Sequence, residues 1–125
     1  MLRRTSPRPT VHVVDQDAAV RHALAFSLDL EGYDVRTYAS SEALLQSAEP
    51  LQSGCLVLDE NLPGMSCTAA LKALRARQVE LPAIFLASRA RPAFRAEAAE
   101  AGVSILEKPL LDGTLVKTIQ ALLQS

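Results

Sequence analysis

Short apolar runs alternate along this chain with longer stretches of helical periodicity, and this alternation constrains the fold more than any other feature. Most of the runs are continuously apolar, which is typical of strands buried on both faces of a sheet. Strands that alternate with amphipathic helices favour a parallel sheet with helices on both sides. The predicted strands cover residues 11–15, 34–38, 55–59, 83–87 and 103–106, and the predicted helices cover residues 18–31, 41–48, 66–77, 92–101 and 111–124.

Residues at the ends of these segments carry the signals expected of helix boundaries. Asp17 is well placed to cap the first helix, and Gly32 is well placed to end it. Pro92 suits the first turn of the fourth helix, which we expect to end at Gly102. The run at 34–38 alternates between apolar and polar residues, so we expect a strand near the sheet edge with one wetter face. The sequence therefore predicts an α/β fold with a five-stranded parallel sheet.

The bulk composition limits what the chain does. Its 125 residues suggest one domain, and a net charge of −1 offers no electrostatic footprint for nucleic acid. No run reaches the roughly 18 apolar residues that span a bilayer, and the first residues lack the apolar stretch of a signal peptide. We therefore expect a cytoplasmic protein with no membrane partner. Three arginines lie in segment 1–10, which we predict to be a disordered basic arm before a domain at 11–125.

Three charged residues lie at the ends of three different predicted strands. Asp15 closes the first apolar run, Asp59 closes the third, and Lys108 follows the fifth. Because ligands bind at the carboxyl ends of the strands in open α/β sheets, we expect these side chains to form one small charged site. The alternative is that the acids are helix caps and that the lysine simply pairs with one of them.

This combination of residues suits a carboxylate that receives a phosphoryl group. Aspartate is a known nucleophile in phosphoryl transfer, but both it and the incoming group are anionic. Mg²⁺ held by one or two carboxylates would offset this charge, and a lysine adds a further point charge at the phosphoryl oxygens. No glycine-rich phosphate loop follows the first strand, so we expect neither a dinucleotide site nor an ATP site.

Five segments form a joint pattern with the strand and helix spacing kept between them. They are Val13-Val14-Asp15, Val20-Arg21, Leu58-Asp59-Glu60-Asn61-Leu62-Pro63-Gly64-Met65-Ser66, Ala101-Gly102 and Glu107-Lys108-Pro109. Over residues 11–124 this pattern resembles the receiver domain of two-component response regulators, most of all receivers that precede a helix-turn-helix DNA-binding output. The resemblance implies a flavodoxin-like (βα)5 fold, with a five-stranded doubly wound parallel sheet in the order 2-1-3-4-5.

The resemblance also implies roles for individual residues. Asp59 would be the phospho-acceptor, and a histidine kinase would be the partner that supplies the phosphoryl group. Mg²⁺ would be held by Asp15, Asp59 and the backbone carbonyl of Asn61. Lys108 would contact the phosphoryl group.

The same resemblance implies a contact face made of the fourth helix, the fifth strand and the fifth helix. An output domain or a partner protein would bind there, and the domain itself would not bind nucleic acid. Arg89, Arg91 and Arg95 make the start of this face basic, although a solvated helix face with no specific role is the alternative. A homodimer is also left open.

Three linked positions depart from the family pattern. The usual second acid beside Asp15 is Gln16, whose amide oxygen can still bind Mg²⁺ but whose missing charge predicts weakened binding. The hydroxyl residue at the end of the fourth strand is replaced by Ala87, and Ser88 would reach the phosphoryl group only if the chain leaves the strand there. The switch aromatic three residues before the lysine is Ile105.

These departures leave two functions open. In the first, the domain accepts a phosphoryl group on Asp59 and regulates an output domain or a partner protein. In the second, it is a pseudo-receiver, an interaction module that works without phosphorylation. A metal-dependent phosphohydrolase would need a general acid near Asp59, and the residues that follow, Glu60 and Asn61, lack the Asp two positions on that such enzymes typically carry. We therefore do not expect an enzyme.

Overall fold

The structure, a computed structural model, describes residues 8–47, 53–110 and 113–124. Strands and helices alternate strictly through these residues. The strands are β1 (Thr10–Val14), β2 (Asp34–Tyr38), β3 (Cys55–Asp59), β4 (Ala83–Ala87) and β5 (Ser104–Glu107). The helices are α1 (Ala18–Leu30), α2 (Ser41–Leu45), α3 (Cys67–Ala76), α4 (Pro92–Ala101) and α5 (Thr114–Leu123).

The strands form one sheet in the order β2-β1-β3-β4-β5, and every neighbouring pair is parallel. The predicted fold class and strand order are therefore confirmed, including the edge position of β2. The registers pair Val14 with Leu58 and Ala87 with Glu107, so the carboxyl ends of the strands meet along one rim of the sheet. This rim carries the candidate site.

Each face of the sheet has its own hydrophobic core. On one face, side chains from β3 and β4 form one cluster with side chains from α2, α3 and α4, and this cluster includes Leu58, Leu74 and Phe94. On the other face, residues such as Val57 pack against α1 and α5. Because β3 is buried on both faces, all five of its residues are buried, and this explains its continuous apolar run. Each fully buried Leu or Val stabilises the fold by about 1.5–3 kcal/mol relative to exposure.

The predicted helix signals correspond to real caps. The Asp17 side chain accepts a hydrogen bond from the backbone N–H of Ala19 and caps α1. Gly32 lies just beyond the C-cap of this helix with φ 98°, a left-handed conformation that glycine adopts without steric cost. The fourth helix begins at Pro92 and is followed by Gly102 in the same left-handed region, as predicted.

Some predicted boundaries shift by one or more residues. The fifth strand begins at Ser104 rather than Val103, because the Val103 N–H bonds to Ala98 O and so closes α4. It extends to Glu107, which pairs with Ala87 of β4. The second helix ends at Leu45, although it was predicted to reach residue 48. Gln46 and Ser47 are not helical, and residue 48 lies outside the described residues. The predicted start of α5 at residues 111–112 also lies outside them.

The chain joins the folded domain earlier than predicted. The Arg8 guanidinium donates hydrogen bonds to the carbonyl oxygens of Gly32, Asp29 and Tyr33, and it forms an ion pair with the Asp29 carboxylate. β1 begins at Thr10. Residues 8–10 therefore belong to the domain rather than to the predicted disordered arm, whose residues 1–7 lie outside the described part of the chain.

A close backbone approach fixes β3 beside β1. Gly54 precedes β3 with φ 98°, and a Cβ atom on it would lie 1.7 Å from the carbonyl oxygen of Thr10. Only glycine fits this position, so the entry into the central strand depends on it.

Among the described residues, every helix is too short or too polar to cross a bilayer.

Candidate functional site

The structure brings the three predicted charged side chains together at the rim of the sheet. The Lys108 ammonium Nζ lies 2.6 Å from Asp59 Oδ1 and 3.4 Å from Asp15 Oδ2. Both aspartates are almost fully buried, with 2% of Asp15 and 3% of Asp59 exposed to solvent. Two buried carboxylates therefore share one ammonium, and this cluster of three carries a formal charge of −1.

Hydrogen bonds from nearby backbone N–H groups orient the two carboxylates in the cluster. Asp59 is the last residue of β3, and its Oδ2 accepts a hydrogen bond from the Asn61 N–H at 3.0 Å. Asp15 follows β1, and its Oδ1 accepts from the Asp17 N–H at 2.9 Å. Arg21 of α1 donates to the Asp15 backbone carbonyl at 2.7 Å. These bonds leave Asp59 Oδ1 and Asp15 Oδ2 facing the lysine.

Lys108 is held by the backbone of β4 and by the two acids. Its N–H donates to Ala87 O at 2.8 Å, which places it directly after the β4–β5 ladder. Burial by itself lowers the pKa of the Lys108 ammonium, but the hydrogen bond to Asp59 and the charges of Asp59 and Asp15 outweigh burial. The net result is a raised pKa, so the ammonium is charged at neutral pH.

Gln16, which the sequence marks as a departure, contacts the opposite loop. Its side-chain Nε2 donates a hydrogen bond to the backbone carbonyl of Asn61 at 2.9 Å. The loop after β1 is therefore tied to the loop after β3. This bond joins residues 45 positions apart in the sequence, and no motif of the sequence predicts it.

These side chains line an open cleft of about 390 Å³. Ser88 lies just past the end of β4, is exposed, and also lines the cleft, so the chain does leave the strand there. A second cleft of about 610 Å³ shares Asn61 and Ser88 with the first and is also lined by Arg89 and Arg91. The residues that line the first cleft are Asp15, Gln16, Asp17, Val20, Asp59, Asn61, Ser88 and Lys108.

The donors at this rim fit Mg²⁺. The carboxylates of Asp15 and Asp59 and the carbonyl of Asn61 are hard oxygen ligands at one cleft, the type that Mg²⁺ prefers. Among the described residues, no group of three or more His, Cys, Asp or Glu side chains has a metal-binding arrangement. Two carboxylates still suffice, because Mg²⁺ usually keeps several waters and binds protein through one or two carboxylates plus phosphate oxygens.

Ala87 and Ile105, the two positions at which the sequence lacks the switch residues of the family pattern, lie behind the cleft. Ala87 ends β4 and is buried, so a methyl group stands where a hydroxyl is expected. Ile105 of β5 is partly buried and packs against the core that faces α3 and α4. Neither side chain offers a polar group to the cleft.

A polar contact that the sequence did not predict lies beside these positions. Glu107 Oε2 accepts a hydrogen bond from the Ala90 N–H at 3.1 Å and forms an ion pair with Arg95 at 2.8 Å. The end of β5 is thereby tied to the loop after β4 and to α4. The only sequence signal for this contact was an acidic residue immediately before Lys108.

Comparison with known proteins identifies relatives over most of the chain. FixJ, a transcriptional regulatory protein, is 37% identical over 112 residues in Azorhizobium caulinodans and 35% identical over 112 residues in Rhizobium meliloti. Each alignment covers 89% of this chain but 53% and 55% of those proteins, respectively. The chain therefore spans about half the length of the curated relatives that it matches.

Two solved structures match this fold over almost the whole chain. The crystal structure of FixJ-N matches with a TM-score of 0.85 at 32% identity, covering 95% of this chain and 96% of that chain. Chemotaxis protein CheY4 of Vibrio cholerae matches with a TM-score of 0.85 at 28% identity, covering 94% of this chain and 100% of that chain. The family profile described as the response regulator receiver domain matches residues 11–120. This chain therefore belongs to the response regulator receiver domain family of two-component systems.

Proposed function

We propose that Asp59 accepts a phosphoryl group from the phosphohistidine of a histidine kinase. The observation that carries this proposal is the position of the Asp59 carboxylate, which ends β3, lines the open cleft and lies 2.6 Å from the Lys108 ammonium. A carboxylate oxygen of Asp59 forms a bond to phosphorus while the bond from phosphorus to the imidazole nitrogen breaks. The electron pair of the broken bond leaves with that nitrogen.

Lys108 reduces the charge repulsion in this step. Its ammonium already lies between the two acids, so it is available to the phosphoryl oxygens once Asp59 has become an acyl phosphate. The Asn61 N–H, which donates to Asp59 Oδ2, holds the acceptor in a fixed orientation. Positioned donors of this kind act more strongly in a partly buried site than in water.

Receivers of this family generally bind Mg²⁺ at the site of phosphorylation. In this chain Asp15, Asp59 and the Asn61 carbonyl would hold it, and Gln16 supplies no charge, which weakens binding. When bound, Mg²⁺ neutralises charge on the phosphoryl oxygens. Ser88 lines the same cleft. It directly follows Ala87, the position at which the family pattern has a hydroxyl residue.

The partners follow from the same proposal. A histidine kinase supplies the phosphoryl group, and an output domain or partner protein binds the face formed by α4, β5 and α5. Two arginines at the start of this face, Arg89 and Arg91, are exposed, whereas Arg95 is paired with Glu107. The domain acts in the cytoplasm as a signalling module, without an enzymatic activity on a substrate of its own and without binding nucleic acid directly.

Intact mass spectrometry tests the acceptor. After incubation with a small phosphodonor and Mg²⁺, the wild type should gain the mass of one phosphoryl group. The Asp59→Asn variant should gain none, because its amide cannot attack phosphorus. Asp17→Asn is the matched control, since Asn is as good an N-cap as Asp and residue 17 lines the same cleft. It should be phosphorylated like the wild type.

Two outcomes would overturn the proposal. Mass gain that persists in Asp59→Asn would move the acceptor to another residue. No mass gain in the wild type under saturating donor would favour the interaction module that works without phosphorylation.

A further inference from the structure

The carbonyl assigned to Mg²⁺ is already engaged by a side chain of this protein. Gln16 Nε2 donates its hydrogen bond to Asn61 O, and both residues line the acceptor cleft. Gln16 directly follows Asp15, and the cleft that Gln16 and Asn61 line is also lined by Asp15 and Asp59. An ion bound by those two carboxylates and by Asn61 O would lie in this same cleft.

The other two oxygen ligands are engaged in a comparable way. The Lys108 ammonium contacts Asp59 Oδ1 and Asp15 Oδ2. Every oxygen group assigned to the metal thus accepts from, or pairs with, an N–H group of the protein. The two buried carboxylates of the site are satisfied without an ion, as buried polar groups in stable proteins generally are.

We propose that Gln16 latches the metal site, so that Mg²⁺ binds only after the hydrogen bond from Gln16 to the Asn61 carbonyl has broken. The proposal rests on the assignment of that carbonyl to Mg²⁺ in the proposed function. An N–H group presents the positive end of its dipole, which repels a cation and competes with it for the same lone pairs. Gln16 is thus a positioning residue that holds the loop after β3 in place of the ion.

The side chain at position 16 decides whether such a latch exists. Glutamine carries two N–H donors at the end of its side chain, whereas an ionised Asp or Glu accepts only and has nothing to donate to a carbonyl. The replacement of an acid by Gln16 therefore does more than remove one negative charge. It adds a donor that competes with the ion for a ligand oxygen.

Two roles for Gln16 predict opposite effects of its removal. If the amide latches the carbonyl, Gln16→Ala frees Asn61 O, and Mg²⁺ should bind about threefold more tightly, the ratio expected for one exposed hydrogen bond. If the Gln16 amide oxygen were instead a useful ligand, the same change would weaken binding. The sign of the effect therefore separates the two roles.

The experiment is an NMR titration of the unphosphorylated, ¹⁵N-labelled protein with MgCl₂. Dissociation constants come from the shifts of the Glu60 and Asn61 backbone amides, which lie beside the acceptor. Gln16→Ala is compared with Gln120→Ala, a matched change at an exposed position of α5. Tighter binding in Gln16→Ala, with Gln120→Ala equal to the wild type, supports the latch. Weaker or equal binding in Gln16→Ala, or no binding in either protein, overturns it.

The Gln16 side-chain amide gives a second readout in the wild type. The proton that it donates to Asn61 O should exchange with water more slowly than the side-chain amide protons of Gln120 without Mg²⁺, and this protection should disappear at saturating Mg²⁺. Protection that persists at saturation would overturn the latch. The titration needs no phosphorylation, so failure of Asp59 to gain a phosphoryl group would leave this test intact. If the wild type is phosphorylated but Gln16→Ala binds Mg²⁺ with the wild-type affinity, the latch is ruled out. Asp59 then remains the proposed phospho-acceptor.

Discussion

The cleft lined by Asp15, Asp59 and Lys108 and the region directly behind it are built from different kinds of interaction. In the cleft, two nearly buried carboxylates depend on one ammonium, that of Lys108. Behind it, at the ends of β4 and β5, Ala87 contributes only a methyl group, and Glu107 makes two exposed polar contacts, with Arg95 and with the Ala90 N–H. The cleft keeps the two aspartates and the lysine of the cluster but carries Gln16 where the family pattern has an acid. The other two departures, Ala87 and Ile105, lie in the region behind it.

This difference predicts that the ion pairs of the two regions contribute unequally to the free energy of unfolding. Removing one partner of a buried ion pair leaves an uncompensated charge and typically costs about 3–5 kcal/mol. An exposed ion pair is worth about 0–1 kcal/mol, because water and salt screen it. The side chains of Arg95 and Glu107 are 53% and 47% exposed, whereas that of Asp59 is 5% exposed. Substitutions in the cleft should therefore change stability far more than substitutions behind it.

The largest expected effect is that of Lys108→Ala. It leaves the carboxylates of Asp15 and Asp59 side by side without a cation, so the free energy of unfolding should fall by about 3 kcal/mol at pH 7. Urea unfolding measures this change. Lys117→Ala, at an exposed position of α5, is the matched control and should alter stability by less than about 0.5 kcal/mol.

The pH dependence of the wild type checks the same interaction. The folded-state pKa of Lys108 is raised above its ordinary value of 10.5, so its stabilising contribution is complete below that value. It is lost as the pH rises through the raised pKa, and Lys108→Ala should lack this part of the alkaline loss. A Lys108→Ala variant as stable as Lys117→Ala would show that the ion pairs in the cleft contribute no more to stability than the exposed pair behind it.

The sequence predicted those features of the fold that follow from burial and topology. Continuous apolar runs such as 55–59 mark strands buried on both faces, and parallel strands necessarily bring their carboxyl ends to one rim. The meeting of Asp15, Asp59 and Lys108 follows from that geometry. Capping by Asp17 was also predictable, because the signal is local.

The contacts that the sequence did not predict are long-range and depend on side-chain rotamers in loops. The bond from Gln16 to Asn61 spans two loops, and nothing in the pattern of either loop specifies it. The ties from Glu107 to Ala90 and Arg95 depend on how the loop after β4 turns. Loop conformations carry weaker sequence signals than the periodic elements they connect.

The second expected effect is that of a hydroxyl introduced at the altered position. Ala87→Ser places an O–H group in a buried site, so the unphosphorylated protein should lose about 1 kcal/mol of stability. Phosphorylation of Asp59 should restore this loss, because the hydroxyl can then donate to a phosphoryl oxygen. Thermal unfolding with and without phosphodonor and Mg²⁺ measures both effects.

Ala83→Ser provides the control for this change. Ala83 is also a buried alanine of β4 but lies at the opposite end of the strand, far from the rim. It should show a similar loss without recovery. Equal recovery in both variants would mean that phosphorylation stabilises the sheet generally and that position 87 has no particular contact with the phosphoryl group.

The smallest expected effect comes from Glu107, and two substitutions separate its two contacts. Glu107→Gln removes the charge that pairs with Arg95 but keeps an oxygen for the Ala90 N–H, so stability should fall by less than about 0.5 kcal/mol. Glu107→Ala removes both contacts and should also speed hydrogen exchange at the Ala90 amide. The small loss in Glu107→Gln should vanish in 1 M salt, where the screening length is about 3 Å. A loss in Glu107→Gln as large as that in Lys108→Ala would contradict the division between a tightly coupled cleft and a weakly tied region behind it, because the exposed pair would then carry as much energy as the buried one.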